Sequence, residues 1–250
     1  MLLHHCTWPE VEAYLTRSRG IIIPIGSTEQ HGPTGAIGTD AICAEAIARG
    51  VGEATDALVT PTIAVGMALH HLAFAGSMSL RPETLMAVVQ DWVTSLARHG
   101  FERFFFINGH GGNMATLKAA FSQTYQAIAD LGTVPGGDRV RCRLANWYMT
   151  RGAYQLAREL YGDAEGSHAT PSEIALTLFV HPPLKRDVPL EPAIAPSGRA
   201  IYGAAAFRQA YPDGRMGSNP SLATADHGQQ FYEAAVRELS ESYRAFMAEP

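Results

Sequence analysis

Cysteine is scarce in this chain. The 250 residues include three cysteines, and Cys6, Cys43 and Cys142 lie far apart in the sequence. An odd number of cysteines without any Cys-x-x-Cys pair argues against a disulfide framework and against a thiolate zinc site. This usage fits a reducing compartment, and we therefore expect a cytoplasmic location.

Long apolar runs and clusters of basic residues are also missing. No stretch of 18 apolar residues occurs, and residues 1–6 lack a cationic region, so neither a membrane span nor a secretion signal is expected. The formal net charge is −5 and the 19 Lys and Arg residues are scattered, which argues against nucleic acid as a partner. The chain also lacks a Gly-x-Ser-x-Gly elbow, a Gly-x-Gly-x-x-Gly motif and a P-loop, which speaks against serine and nucleotide chemistry.

Alternating strand and helix patterns predict an α/β fold. The hydrophobic content of 46% suffices for a core, and no composition break divides residues 1–250, so we expect a single domain. Apolar runs and helical spacing predict strands at 20–25, 57–65, 103–107 and 140–146, and helices at 8–15, 40–53, 82–100, 114–131, 148–161, 170–179 and after 226. Thr39 and Asn113 are the predicted N-caps of the second and fourth helices. This alternation predicts a mainly parallel sheet covered on both faces, whereas residues 181–220 receive no regular structure.

Side chains of the types that can bind metal ions follow three of the predicted strands. They are Glu29, His31 and Asp40 after the first, His110 after the third, and His168 and Glu173 after the fourth and its helix. The carboxyl ends of parallel strands meet at one edge of a sheet, where ligands bind in open α/β folds. We therefore expect these side chains to converge.

The converging charges favour two divalent cations. Three carboxylates and two imidazoles would be too anionic to lie together unpaired, because burying an unpaired charge is costly. Oxygen and nitrogen ligands without sulfur suit zinc, manganese or ferrous iron. We predict two ions that share Asp40, one completed by Glu29 and His110 and the other by His31 and Glu173.

His168 and Glu173 are the candidate catalytic residues. A water on such a metal ion is ionised near neutral pH, which predicts attack of metal-bound hydroxide on an amide carbon. His168 is not needed as a ligand and is predicted to carry a proton to the leaving nitrogen. For Glu173 the sequence leaves open a direct ligand, a group behind the ligands, or a first-turn glutamate that favours its helix dipole.

Candidate substrate contacts come from three segments. The long apolar loop 66–77 supplies His71 and Ser77, and Trp147 lies at the end of the fourth predicted strand. Gly111 and Gly112 let the backbone approach the site, where their N–H groups can bind a substrate oxygen. For His71 and Trp147, ordinary packing is the alternative.

Several motifs resemble the creatininase family of metal-dependent amidohydrolases, namely Pro24-Ile-Gly-Ser-Thr-Glu-Gln-His-Gly-Pro33, Gly38-Thr-Asp40, Asn108-Gly-His-Gly-Gly-Asn113, His168-Ala169 with Glu173, and Asn219-Pro220. The resemblance implies a three-layer α/β/α sandwich, assembly as a homo-oligomer that is often a homo-hexamer, and two divalent metals per subunit. It also implies cleavage of non-peptide amide bonds in small molecules.

The chain departs from the pattern of true creatininase at two positions. Gly111 and Gly112 stand where creatininase has Tyr and then a metal-binding Glu, which makes creatinine a poor candidate substrate. Members with the Gly-Gly version resemble formamide hydrolases or peptide-trimming enzymes of cofactor maturation. The prediction is hydrolysis of a small amide, cyclic amide or formamide. The alternative is a metal-binding accessory or maturation protein of cofactor or peptide biosynthesis, either peptidase-like or without turnover.

Overall fold

The computed structural model describes residues 1–250 and contains a four-stranded parallel sheet with the strand order β2–β1–β3–β4. Its strands are β1 Gly20–Ile25, β2 Leu58–Val59, β3 Arg103–Asn108 and β4 Arg141–Asn146. In the register, Ile25 pairs with Asn108, and Asn108 pairs with Asn146. Because β1, β3 and β4 end at the same level, the loops that follow them leave the sheet side by side.

The second strand is much shorter than predicted. The prediction covered residues 57–65, but ladder pairing with β1 stops at Val59 and resumes only as a single bridge between Ile25 and Ile63. Pro61 lies between these points and has no backbone N–H to donate to the ladder. The apolar run is therefore extended chain at the edge of the sheet rather than a full strand.

Eight α-helices surround the sheet: α1 Trp8–Leu15, α2 Thr39–Thr55, α3 Pro82–Arg98, α4 Asn113–Leu131, α5 Arg151–Tyr161, α6 Pro171–Val180, α7 Ala204–Ala210 and α8 Ala225–Met247. The predicted helices are therefore present, and α7 falls in the region that received no regular structure. None of the helices combines the length and the apolar character that crossing a membrane requires.

The strands bury side chains on both faces. Phe104 and Phe106 of β3 pack in one core with α1, α3 and α4, whereas Phe105 packs in a second core with α2, α5, α6 and α8. Successive strand residues point to opposite faces, so a strand that is apolar throughout needs cover on both sides. This arrangement confirms the three-layer α/β/α sandwich.

Two predicted helix caps are wrong. Thr39 is the first residue of α2, after Gly38, and Asn113 is the first residue of α4, after Gly112. The Asn113 side chain instead donates to the carbonyl oxygen of Gly26 and accepts from the N–H of Met67. It thereby ties together the loops after β1, β2 and β3, a long-range role that overrides local capping.

A buried arginine organises the region between α6 and α8. The guanidinium of Arg215 is fully buried and donates to the carboxylate of Asp213 and to three backbone carbonyl oxygens, those of Pro192, Ala193 and Ser218. A buried charge needs such partners. These bonds tie residues 192–193 to residues 213–218 and so fix the shape of the Pro- and Gly-rich segment.

Candidate metal centre

The five predicted ligands come from four segments at the carboxyl edge of the sheet. Glu29 and His31 lie in the loop after β1, Asp40 lies in the first turn of α2, His110 follows β3, and Glu173 lies in the first turn of α6. The loops can come this close because glycine stands at the contact points. A Cβ atom at Gly109 would overlap the carbonyl oxygen of Asp40.

Glu29, Asp40 and His110 form the first ligand set. The Nδ1 atom of His110 lies 3.2 Å from Oε1 of Glu29 and 3.0 Å from Oδ2 of Asp40. On the outer side of the ring, Nε2 of His110 donates to the carbonyl oxygen of Met67 at 3.0 Å. This bond leaves the lone pair of Nδ1 directed at the two carboxylates, which is the usual orientation of a metal-binding histidine.

His31, Asp40 and Glu173 form the second ligand set. The Nε2 atom of His31 lies 3.1 Å from Oδ1 of Asp40 and 3.9 Å from Oε1 of Glu173, and its Nδ1 donates to the carbonyl oxygen of Glu29 at 3.0 Å. In each set the potential ligand atoms lie within 4.8 Å of one another. Asp40 contributes one oxygen to each set, which is the arrangement expected of a bridging carboxylate.

The buried oxygens of these carboxylates fit divalent cations. Both oxygens of Glu29 and Oδ2 of Asp40 are buried and have no hydrogen-bond partner in the chain. When the His110 ring carries a single proton, as a metal ligand does, Met67 accepts that proton and Nδ1 has none to donate to the carboxylates. Uncompensated buried carboxylates are costly, and cations bound between them would remove that cost. The two ligand sets therefore fit two metal ions.

The protein groups alone shift one another's pKa values strongly. Burial lowers the pKa of His31, but the carboxylates of Asp40, Glu173 and Glu29 outweigh it and raise that pKa to about 10. Burial opposes ionisation of Asp40 too, yet His31 and His110 hold its pKa well below the usual range. The site therefore favours bound positive charge.

Glu173 has two functions in the structure. Its carboxylate accepts from the backbone N–H of Thr170 at 2.5 Å, and the Thr170 hydroxyl accepts from the N–H of Glu173, so the two residues form a capping box at the start of α6. The same Oε1 faces His31. The two interpretations of Glu173, as a first-turn glutamate that favours the helix dipole and as a metal ligand, are thus compatible. The cap fixes the rotamer that points the carboxylate at the site.

His168 lies beside the ligands and faces the main cavity. Its Nε2 lies 2.8 Å from the carbonyl oxygen of Gln30, to which it donates, and its Nδ1 lies 3.8 Å from Oε1 of Glu29. Burial and the nearby charge of His31 hold the pKa of His168 well below its usual range. His168 is therefore a neutral base with a free lone pair on Nδ1. Geometrically it could also join Glu29 and His31 as a ligand.

Three predicted substrate contacts lie behind the ligands instead of in the cavity. His71 accepts from the side-chain amide of Gln30 at Nδ1, and its Nε2 lies 3.2 Å from Oε1 of Glu29. The hydroxyl of Ser77 accepts from the backbone N–H of Gln30, and a Cβ atom at Gly112 would overlap the ring of His110. In this structure they contact the candidate metal ligands Glu29 and His110 or the adjacent Gln30, and their predicted contact with substrate stays a prediction.

The main cavity opens next to both ligand sets. Its volume is about 480 Å³, and its lining includes Asp40, His110, Gly111, Trp147, Tyr148, Glu165, His168 and Glu173. Gly111 and Trp147 thus lie where the sequence predicted substrate contacts.

Sequence reasoning missed Tyr148 and Glu165. Tyr148 is the second residue after β4, and this position at the sheet edge was the available signal. Glu165 accepts from the hydroxyl of Ser172 in the first turn of α6 at 2.5 Å, and burial raises its pKa. No sequence pattern marks Glu165.

The fold and the two ligand sets together define a three-layer α/β/α protein with a candidate two-metal centre at the carboxyl edge of its parallel sheet. The family profile described as "Creatininase: Creatinine amidohydrolase" matches residues 4–243. The chain therefore belongs to the creatininase family, as the sequence motifs predicted.

Known proteins similar to this chain include a peptidase and two creatininase structures. The "Mycofactocin precursor peptide peptidase" of Mycobacterium tuberculosis (strain ATCC 25618 / H37Rv) is 38% identical over 135 residues, which cover 48% of this chain and 53% of the peptidase. The chain thus matches about half the length of this relative. The structure "Creatininase Mn" has a TM-score of 0.83 and 24% identity over 99% of both chains. A creatininase mutant described as "Zn-Zn type" gives the same values, with 98% of its chain covered. At this identity the two structures support the fold alone.

Proposed function

We propose that this protein is a two-metal hydrolase that cleaves the C–N bond of a small amide, cyclic amide or formamide. The observation that carries the proposal is the pair of ligand sets that share Asp40, with buried carboxylate oxygens that no group of the chain satisfies. The cavity of about 480 Å³ beside them has the size of an ordinary small-molecule site.

The residues around the cavity would have different roles in metal binding and proton transfer. When bound, the metal ions supply a Lewis acid and lower the pKa of a coordinated water from 15.7 to about 7. Nδ1 of His168 takes up a proton from water in the cavity and returns it to the leaving nitrogen, while its bond to Gln30 fixes the tautomer. Glu29, Asp40 and Glu173 hold the cations, and the capping box keeps Glu173 in place.

A second candidate function is the trimming of a peptide precursor. Its support is the 38% identity to a peptidase of that kind, together with Gly111 and Gly112 in place of the creatininase Tyr and Glu. Peptide and small-amide hydrolysis would use the same ligand sets, so substrate size decides between the two functions.

A metal-dependence assay tests the proposal. Protein dialysed against a chelator and then reloaded with zinc, manganese or ferrous iron would be assayed on formamides, lactams and linear amides, and in parallel on short peptides. We expect activity on the small amides to disappear with the metal and return on reloading. Full activity in protein verified as metal-free would contradict the mechanism, and activity on peptides alone would favour the second function.

Three further expectations from the sequence stay predictions. Assembly as a homo-oligomer, a cytoplasmic location and the occupancy of both metal sites in each subunit need measurement. Metal analysis of the purified protein, with its molar mass in solution, would check the first and the third.

A further inference from the structure

The hydroxyl of Tyr148 reaches over the loop that carries His110. Tyr148 lies in the 3₁₀ turn Trp147–Met149, directly after β4, and its side chain lines the cavity. Its Oη atom lies 3.7 Å from the position that a Cβ atom at Gly111 would take. The phenol thus lies against the backbone of Gly111, next to His110 of the first ligand set.

This hydroxyl is nearly free of partners within the protein. The acceptor that it contacts is the thioether sulfur of Met114, at 3.8 Å. A thioether is a weak acceptor, so the O–H group can turn to a better acceptor in the cavity. The backbone N–H of Gly111 also makes no hydrogen bond in the chain. Two unused donors therefore lie next to His110.

The phenol of Tyr148 keeps its proton at neutral pH. Burial raises the pKa of Tyr148 well above its usual value, and the carboxylates of Asp40 and Glu173 contribute to this increase. Tyr148 lines the same cavity as Asp40, His110 and Glu173. Its hydroxyl is therefore a hydrogen-bond donor rather than a base.

We propose that Tyr148 is a catalytic residue whose hydroxyl donates a hydrogen bond to the carbonyl oxygen of the scissile amide and stabilises the negative charge that develops there. The proton stays on Oη throughout, so the residue contributes electrostatically, as a donor of an oxyanion hole does. This inference rests on the proposed hydrolase function and adds a role that neither the ligands nor His168 supply.

The variant Tyr148→Phe tests this role, because it removes the hydroxyl and keeps the ring. We expect kcat to fall by about 10²–10³-fold, the range found when one such donor is removed, with KM changed by less than about threefold. Metal content and melting temperature should match the wild type. The control is Tyr232→Phe, which removes a phenol hydroxyl from α8, outside the cavity, and should leave kcat unchanged.

A binding measurement gives a readout independent of turnover. A phosphonamidate places a tetrahedral anionic oxygen where the carbonyl oxygen would be, and its dissociation constant can be measured by calorimetry. We expect Tyr148→Phe to weaken its binding at least tenfold. If wild type is active and Tyr148→Phe keeps both its kcat and this affinity, the role of Tyr148 is refuted while the hydrolase function stands. If the metal-loaded wild type hydrolyses no amide at all, the proposed function itself is refuted.

Discussion

Asp40 and His168 lie in the same site but have different chemical environments. Asp40 is shared by both ligand sets, and Oδ2 has no hydrogen-bond partner in the chain. His168 is held by Gln30, and its free nitrogen lies 3.8 Å from Glu29. Substitutions at these two positions should therefore have different effects on metal binding and on turnover.

We predict that Asp40→Ala loses both metal ions, because each set loses one of its three ligands. His168→Ala should keep the ions and lower kcat by about 10²–10⁴-fold, the usual contribution of a general acid or base. Metal content by mass spectrometry and turnover on the best amide would be measured for each variant. Equal metal loss in both would make His168 a ligand and overturn this division of roles.

The convergence of the candidate metal ligands was predictable from sequence, whereas the contacts of the residues around them were not. Glu29, Asp40 and His110 were identified because they directly follow apolar strands or begin the next helix, and strand ends meet by topology. The positions of His71 behind Glu29 and of Tyr148 over Gly111 depend on how distant loops pack. No spacing along the chain encodes such contacts.

At the scale of elements, the close approach of β3 and α2 fixes the site. A Cβ atom at Gly109 would overlap the backbone of Asp40, whereas one at Gly111 would meet only the Tyr148 hydroxyl at an ordinary contact distance. Neither glycine has a positive φ, so the two positions differ in space rather than in backbone conformation. The substitutions Gly109→Ala and Gly111→Ala can therefore be compared directly as a test of this close approach.

We predict that Gly109→Ala destabilises the protein by about 1–3 kcal/mol, because the start of α2 must shift to make room. Gly111→Ala should leave the melting temperature close to the wild-type value. Thermal unfolding of both variants in the presence of chelator would isolate the packing effect from metal loss. Equal melting temperatures for the two variants would mean that the contact between β3 and α2 is more tolerant than the structure indicates.

Elements with strong local patterns were predicted well, and those determined by distant contacts were not. The runs at β1 and β3 are apolar throughout, so their burial on both faces followed from sequence. In contrast, Pro61 shortened β2, the Asn113 side chain bridged three loops instead of capping α4, and α7 formed in a segment without clear periodicity. Pro61 acts locally through its missing N–H, whereas at Asn113 and α7 tertiary contacts outweighed local preference.

For the whole molecule, bound cations should stabilise the fold. The unfolded chain cannot hold five distant ligands together, so the ions bind the native state selectively. At a free metal concentration of one hundred times Kd this linkage contributes about 2.7 kcal/mol, which corresponds to an increase of about 5–10 °C in melting temperature for a chain of this size.

We predict that zinc or manganese produces this increase in wild type and not in Asp40→Ala. Differential scanning calorimetry of chelator-treated protein, with and without added metal, would measure it. The Asp40→Ala protein serves as the control for nonspecific metal effects. An unchanged melting temperature in wild type would contradict selective binding of metal to the native state.

The order of the ligands along the chain has a consequence for biogenesis. The strands β1, β3 and β4 end at the same level, and the centre is assembled from segments between Glu29 and Glu173. During translation the first candidate ligands therefore leave the ribosome long before the last one. If both ligand sets bind metal as proposed, complete loading would have to wait until α6 has been synthesised and docked, so that ion uptake would report the end of this step.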